Sequence, residues 1–291
     1  MRHLLLPLLT FIIPALASAA APPSPVVVRD LPYVPGGHER QKLDLYFPPN
    51  VADSAPLLVW IHGGAWKEGS KENCPAVGMT AKGWVVASVN YRFSQHAVFP
   101  AQIEDCKAAI RFLRAGAKDF HIDRNRVAVW GASAGGHLAA LLGVTGKTRE
   151  FDVGGNLNQS SAVSCVVDWF GPTDFLNWGA ESVIKADNKD DVVAKLFGGP
   201  VSERRDLAKK GSPISWVSAN SAPTLIMHGD KDPLVPLQQS ESFSAALKAV
   251  GVPCVLKIYP GHGHGGPRFN DNEARDLMVG FVEQHTTATP P

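Results

Sequence analysis

A serine, an aspartate and a histidine follow three separate apolar segments in the order that nucleophilic catalysis can use. Ser133 lies in the pattern G-A-S-A-G (residues 131–135), between a β-branched apolar segment and an alanine- and leucine-rich helix. Small neighbours let a strand turn sharply into a helix and place the serine hydroxyl above the edge of a sheet. A serine attacks a carbonyl only when a base takes its proton and an acid orients that base. The pattern therefore predicts Ser133 as a nucleophile.

The acid and the base each have two candidates. The segment H-G-D-K-D-P-L-V-P after one apolar run offers Asp230 and Asp232, and P-G-H-G-H-G-G after the next offers His262 and His264. Asp230 directly follows the glycine that ends its run, a position typical of aspartates that bond a turn backbone. We therefore predict Asp232 as the orienting carboxylate. The glycine-rich loop allows either histidine to reach the serine, so spacing does not separate them.

Two other chemistries compete for these residues. A histidine and aspartate cluster is a metal-binding alternative, in which His-x-His is a known ligand spacing. That alternative leaves the serine turn unexplained, so we expect neither a metal nor an organic cofactor. An inactive binding protein built on the same turns is the other alternative. The presence of all three triad candidates argues against it. The candidate ligands of the metal-binding alternative are His228, Asp230, Asp232, His262 and His264.

These residues must be positioned by strands that are buried on both faces. Continuous apolar runs are typical of parallel sheets covered by helices when each run is followed by glycine, proline or asparagine residues and then by a helical pattern. The sequence thus predicts an α/β fold with a mostly parallel central sheet and helices on both faces. The segment Q-K-L-D-L-Y-F-P-P could add an antiparallel edge pair. The predicted parallel strands lie within 57–64, 84–92, 126–131, 162–172, 223–230 and 253–261.

One connection is too long for a simple crossover. Residues 173–222 separate two predicted strands and carry mixed helical patterning. Connections of this length usually hold extra helices or a lid. We expect a small cap-like insertion over the carboxyl edge of the sheet, where ligands bind in such folds.

The composition narrows the class of partner. The chain has 291 residues, 45% hydrophobic and 19% charged, with a net charge of +1. These values indicate a packed globular protein. The net charge gives no indication of a basic surface for nucleic acid, so small molecules or neutral polymers are the expected partners. The oligomeric state stays open, as does the pairing of the cysteines, which lack zinc-type spacing: Cys74, Cys106, Cys165 and Cys254.

The first 19 residues have the pattern of a cleavable export signal. Arg2 precedes an apolar run, and Ala17-Ser18-Ala19 forms a small-residue cleavage site. The run is shorter than the ~20 residues of a membrane-spanning helix. We therefore expect a signal peptide over 1–19, one domain over 20–291 without a membrane span, and a secreted or periplasmic location.

Taken together, the motifs resemble those of α/β-hydrolase-fold esterases. The resemblance is to the secreted bacterial feruloyl and acetylxylan esterases near the hormone-sensitive-lipase group, and it covers about 43–282. It rests on H-G-G-A-W (62–66), V-N-Y-R (89–92), F-P-A-Q-I-E-D-C-K-A-A-I-R-F-L-R (99–114), G-A-S-A-G-G-H-L-A (131–139), D-W-F-G-P-T-D (168–174), H-G-D-K-D-P-L-V-P (228–236) and P-G-H-G-H-G-G (260–266).

The resemblance implies roles that spacing alone does not give. Relatives read P-G-x-G-H-G, which assigns the base to His264. Their oxyanion loop implies backbone N–H donors at Gly64, Ala65 and Ala134, and Trp66 beside it is expected to contact substrate. The implied function is a secreted serine esterase acting on acetyl, feruloyl or other short-chain acyl esters of small molecules or polysaccharides. Arylformamidases and peptidases of the same fold are the alternatives.

Overall fold

An eight-stranded sheet forms the centre of the computed structural model, which describes residues 24–286. The predicted signal peptide lies outside the described residues. The strands are β1 (Val26–Pro32), β2 (Lys42–Phe47), β3 (Ala55–Ile61), β4 (Val85–Val89), β5 (Ile122–Ala132), β6 (Cys165–Trp169), β7 (Thr224–Gly229) and β8 (Cys254–Tyr259).

The strand order is β1-β2-β4-β3-β5-β6-β7-β8. β2 is antiparallel to both β1 and β4, and every other neighbouring pair is parallel. The mostly parallel sheet is therefore confirmed, as is an antiparallel element at its start. The predicted segment forms β2 rather than the edge. The edge strand β1 is missing from the prediction because its side chains are largely exposed, as at Val26.

Helices cover both faces of the sheet. They are α1 (Ala101–Ala115), α2 (Ala134–Thr145), α3 (Val192–Phe197), α4 (Arg205–Gly211), α5 (Leu237–Ala249) and α6 (Asn272–Thr286). Short 3-10 segments span Pro75–Lys82, Val201–Glu203, Pro213–Trp216 and Pro267–Asn270. No helix within residues 24–286 is long and apolar enough to cross a membrane.

The continuous apolar runs are explained by burial on both faces. In β3, Leu57 and Val59 belong to the core under α1 and α2, whereas Leu58 and Trp60 belong to the core under α6. Trp60 packs edge-on against Trp130 of β5, with ring centroids 4.9 Å apart. Each such side chain removed from water stabilises the fold by about 1.5–3 kcal/mol. The sheet is thus a rigid base for the loops at its carboxyl edge.

The long connection over 173–222 holds α3, α4 and two of the 3-10 segments. Gln239 of α5 is buried and hydrogen-bonds to the first residues of this connection. The Gln239 Oε1 accepts hydrogen bonds from the backbone N–H groups of Thr173 and Asp174, at 2.8 and 2.7 Å. Its Nε2 donates to the carbonyl oxygens of Asp174 and Asn177. The connection therefore begins at a fixed point on the sheet edge.

All four cysteines are free thiols. Burial raises the pKa of Cys165 to about 12 and that of Cys74 to about 11. Both thiols therefore stay protonated at neutral pH and serve as small apolar groups. The core is held together by packing, without a disulfide among residues 24–286.

Candidate active site

Ser133 occupies a strained turn between β5 and α2. Its φ is +56°, a left-handed conformation that side chains other than glycine rarely adopt, and its N–H donates to the Trp169 carbonyl at 2.8 Å. A Cβ on Gly131 would lie 2.1 Å from the Gly135 carbonyl oxygen, and one on Gly135 would lie 2.0 Å from the Ile61 carbonyl oxygen. Both glycines of the predicted pattern are therefore required by close backbone contacts.

The three predicted side chains form a continuous hydrogen-bonded chain. The Ser133 hydroxyl donates to His264 Nε2 at 2.8 Å, and His264 Nδ1 donates to Asp232 Oδ2 at 2.6 Å. The carboxylate fixes the tautomer, since it accepts only from a protonated Nδ1. Nε2 is then free to take a proton from the serine. This arrangement can perform nucleophilic attack on a carbonyl carbon.

The Asp232 carboxylate is held in its charged form by four donors. Its Oδ1 accepts from the N–H groups of Leu234 and Val235, at 2.8 and 2.9 Å, while His228 Nε2 approaches Oδ2 at 3.1 Å. Burial opposes ionisation, but hydrogen bonds from His228 and His264 outweigh it and hold the pKa of Asp232 well below its ordinary value. Asp232 is therefore an anion at neutral pH.

His228 has a supporting role that the sequence analysis missed. It is fully buried, and its Nε2 contacts both Asp232 and the Val235 carbonyl oxygen, at 3.1 and 2.9 Å. Because both partners are acceptors, Nε2 carries the proton, and Nδ1 accepts from the Ser240 hydroxyl at 2.6 Å. The i,i+4 spacing from His228 to Asp232 was the available signal. From the sequence, His228 was considered only as a candidate metal ligand.

The geometry separates the paired candidates. The His262 side chain has no hydrogen bond to any residue of the described range 24–286, and its backbone carbonyl accepts from the Lys231 N–H at 2.8 Å. Asp230 Oδ1 accepts from the Gly261 N–H at 2.6 Å, the turn-bonding role expected for it. His264 alone of the two histidines reaches the serine.

The same side chains do not assemble a metal site. Across residues 24–286, no group of three or more histidine, cysteine, aspartate or glutamate side chains is arranged to hold a metal ion. His228 and Asp230 are already bonded in different directions. The metal alternative therefore lacks a ligand set in this part of the chain.

The predicted oxyanion loop lies directly against the serine turn. A Cβ on Gly63 would come within 3.3 Å of the Ser133 Cβ. Gly64, with φ of +107°, and Ala65, with φ of +50°, follow in conformations that turn the backbone sharply. The N–H groups of Gly64, Ala65 and Ala134 have no hydrogen-bond partner in residues 24–286. Ala134 is also the first residue of α2, and the helix dipole favours negative charge at this end of the helix.

Trp66 lines the site and is held by a buried histidine. Its Nε1 donates to His137 Nδ1 at 3.1 Å, and His137 Nε2 donates to the Gly211 carbonyl at 2.7 Å. Burial lowers the pKa of His137 to about 4, so the ring is neutral and its Nδ1 can accept. His137 therefore has a structural role. The indole presents its apolar ring, not its N–H, to the space beside Ser133.

A small apolar cavity of about 50 Å³ lies in front of the serine. The long connection contributes Trp178, Ile184 and Val192 to its wall. The whole lining consists of Ala65, Trp66, Ser133, Ala134, Pro172, Trp178, Ile184, Val192, Leu234, Val235 and His264.

A buried carboxyl group lies behind the serine turn. Asp168 Oδ1 accepts from the Gly171 N–H at 2.9 Å, whereas Oδ2 has no hydrogen-bond partner among the described residues. A Cβ on Gly136, at the start of α2, would lie 2.4 Å from Oδ1. Burial raises the pKa of Asp168 to about 6, against opposing effects of the Gly171 bond and His228.

This pKa predicts a pH-dependent effect of Asp168→Asn on stability. The folded protein binds the Asp168 proton more tightly than the unfolded chain does, so wild-type stability is lost as pH rises from about 4 through 6. The neutral amide keeps the Gly171 bond and removes that loss. We expect the stability of Asp168→Asn relative to wild type to rise between pH 4 and 7.5, by up to about 3 kcal/mol. Urea unfolding at both pH values measures it. The exposed control Asp119→Asn should keep the wild-type pH dependence, and a difference that does not grow with pH would contradict the expectation.

Comparison with known proteins identifies the family. Residues 43–247 match the BD-FAE family model. The chain belongs to the BD-FAE family. Esterase LipQ of Mycobacterium tuberculosis is 34% identical to this BD-FAE chain over 236 residues, which cover 78% of the chain and 54% of LipQ. The chain thus spans about half the length of the curated relatives it matches.

Solved structures agree with the BD-FAE assignment. A truncated carbohydrate esterase from gut microbiota superposes with a TM-score of 0.82 at 31% identity, covering 91% of this chain and 98% of that one. An acetyl ester-xyloside bifunctional hydrolase from Caldicellulosiruptor lactoaceticus gives a TM-score of 0.70 at 25% identity, covering 91% and 97%. The α/β-hydrolase fold and the esterase resemblance predicted from the sequence are confirmed.

Proposed function

We propose that this BD-FAE protein is a serine esterase that hydrolyses short-chain carboxylic esters, with acetyl groups on small molecules or polysaccharides as the preferred substrates. The hydrogen-bonded chain from Ser133 through His264 to Asp232, at 2.8 and 2.6 Å, carries the proposal. The names of the relatives and neighbours, which include esterases and a carbohydrate esterase, support it.

In the first half-reaction, Ser133 Oγ attacks the ester carbonyl carbon while His264 Nε2 takes the hydroxyl proton. The carbonyl oxygen becomes an oxyanion, and the proposed donors that stabilise it are the N–H groups of Gly64, Ala65 and Ala134. Collapse of this intermediate breaks the bond to the alcohol, which leaves with the proton from His264. The acyl group remains on Ser133. The charge of Asp232 stabilises the transient imidazolium.

In the second half-reaction, water takes the place of the alcohol. His264 removes a proton from the water as its oxygen attacks the acyl carbon, and the resulting oxyanion uses the same donors. Breakdown releases the carboxylic acid and returns the proton to Ser133 Oγ. Ester and water are consumed, acid and alcohol are formed, and no cofactor enters the balance.

The small cavity favours acetyl over larger acyl groups. One water needs about 10–15 Å³ by this measure, so a space of about 50 Å³ accepts only a few heavy atoms. An acetyl group fits, whereas the aromatic ring and chain of a feruloyl group exceed the volume. Among the acyl groups considered from the sequence, acetyl is therefore preferred.

Widening the cavity is expected to relax this preference. We expect wild-type kcat/KM to fall from p-nitrophenyl acetate to butyrate, octanoate and ferulate. Ile184→Ala removes part of the cavity wall, and the butyrate-to-acetate ratio should rise about tenfold, the effect of one or two methylenes in an apolar pocket. The control Val183→Ala changes a neighbour that is 63% exposed and should keep the wild-type ratio. A wild-type preference for octanoate or ferulate would contradict acetyl specificity. Hydrolysis of a formamide or peptide without any ester hydrolysis would replace the esterase proposal.

Export and a lid role for 173–222 are parts of the same proposal. The export proposal rests on the sequence of residues 1–19, and the lid role rests on the position of Trp178, Ile184 and Val192 in the cavity wall. Mass spectrometry of the secreted protein should find an N-terminus at or near Ala20. An intact N-terminus on protein retained inside the cell would contradict export.

A further inference from the structure

A groove of about 660 Å³, much larger than the acetyl-sized cavity, lies in the surface next to the active site. Three lysines from two distant segments converge on it, Lys67 from the oxyanion loop and Lys189 and Lys195 from the long connection. Ser94 and Gln95 add a hydroxyl and an amide. The groove therefore carries cationic side chains, unlike the apolar space in front of Ser133.

Among the described residues, no ion pair neutralises the lysines of the groove. No aspartate or glutamate lines it, and within residues 24–286 none of the three lysines forms an ion pair or a side-chain hydrogen bond. Other lysines of the chain are paired, as Lys71 is with Asp44 at 2.8 Å. A concave surface lined by one sign of charge concentrates its field and attracts the opposite charge. An anion in this groove would neutralise groups that now repel one another.

Neighbouring residues of the same two segments line the groove and the acyl cavity. Lys67 directly follows Trp66, which lines that cavity, and the Ser94 N–H donates to the Trp66 carbonyl at 2.8 Å. On the other side, Lys195 lies three residues after Val192 in α3, so both side chains are on one helical face. Since the cavity of about 50 Å³ holds only the acyl group, a large alcohol portion must extend outside it.

We propose that this groove binds a carboxylate-bearing sugar in the alcohol portion of the ester, such as a uronic acid residue of an acetylated oligosaccharide. The inference rests on the proposed esterase function. Lysine ammonium groups attract a carboxylate as point charges. The Ser94 hydroxyl and the Gln95 amide suit sugar hydroxyls. The groove thereby selects the substrate, and the acetyl group of the bound substrate is then removed at Ser133.

A matched pair of substrates tests the groove. One is an acetylated oligosaccharide with a uronic acid residue, and the other is the same oligosaccharide with its carboxylate reduced to an alcohol. We expect wild-type kcat/KM to be about tenfold higher for the acidic substrate, through KM, because three exposed ion pairs each add a modest gain. The preference should shrink in about 0.5 M salt, which screens exposed charges.

Charge-removal variants locate the effect. Lys67→Gln, Lys189→Gln and Lys195→Gln combined should bring the acidic-to-neutral ratio close to one. The control combines Lys118→Gln, Lys147→Gln and Lys248→Gln, which removes the same charge elsewhere and should keep the wild-type ratio.

The outcomes separate the groove from the esterase chemistry. Wild-type hydrolysis of p-nitrophenyl acetate with no preference for the acidic oligosaccharide would overturn the groove proposal alone. Equal loss of the preference in both triple variants would also overturn it, since net charge would then explain the result. Failure to hydrolyse any ester, p-nitrophenyl acetate included, would instead contradict the proposed function.

Discussion

Ser133→Ala is expected to lower kcat for p-nitrophenyl acetate by about 10⁵- to 10⁶-fold, the loss typical when the nucleophile of a triad is removed. Alanine keeps the turn and the oxyanion donors but supplies no oxygen to attack the carbonyl. His264 and Asp232 then act on no nucleophile, so their contribution disappears with that of the serine. The kinetics of purified wild type and variant, measured side by side, give the ratio.

This experiment needs two controls, which are a measurement of the unfolding transition of Ser133→Ala and a second serine-to-alanine variant. Ser54 is exposed and distant in sequence from the turn at Ser133, so Ser54→Ala should retain wild-type kinetics. Denaturant unfolding should show that Ser133→Ala is folded. A folded Ser133→Ala protein with more than about one hundredth of wild-type activity would contradict the assignment, because known triads lose far more without their nucleophile.

His264→Ala is expected to reduce kcat by a similar factor, about 10⁵- to 10⁶-fold. Without the imidazole, no group within hydrogen-bonding distance of Ser133 Oγ takes its proton, and no acid protonates the leaving alcohol. His264 is the only side chain of residues 24–286 that hydrogen-bonds to this hydroxyl. The effect should be on kcat, since the other residues that line the acyl cavity are unchanged.

His262→Ala is the matched control, since it removes the same ring two residues away in the same loop. Its side chain has no hydrogen bond within residues 24–286, and the carbonyl that accepts from Lys231 is retained. We expect kcat within about twofold of wild type, because the substitution breaks no side-chain hydrogen bond and removes only a ring contact with Tyr259. The reverse pattern, with His262→Ala inactive and His264→Ala active, would transfer the role of base to His262.

The parts of the fold that the sequence predicted are those with short-range causes. The parallel strands were predictable because burial on both faces requires continuous apolar runs, as in residues 57–61 of β3. The serine turn was predictable because only glycine fits the close backbone contacts at 131 and 135. Strand β1 was missed because its exposed side chains follow no apolar pattern.

The parts that the sequence did not predict depend on contacts between distant segments. Spacing could not choose between His262 and His264, because a glycine-rich loop can direct either ring toward the serine. The support of Asp232 by His228 depends on how the turn after β7 folds back over the strand end. The cationic groove could not be predicted either, since Lys67 and Lys195 are separated by more than a hundred residues of sequence.

Covalent labelling of Ser133 tests the central claim most directly. A fluorophosphonate reacts with a serine only when a base activates it, and the phosphonyl group then remains on the oxygen. Mass spectrometry of the intact protein should show one adduct on wild type, and peptide mapping should place it on Ser133. Ser133→Ala should show none, and His264→Ala should label far more slowly. A wild-type protein that hydrolyses esters yet is not labelled at Ser133, or a Ser133→Ala protein that is labelled as fast as wild type, would contradict the account.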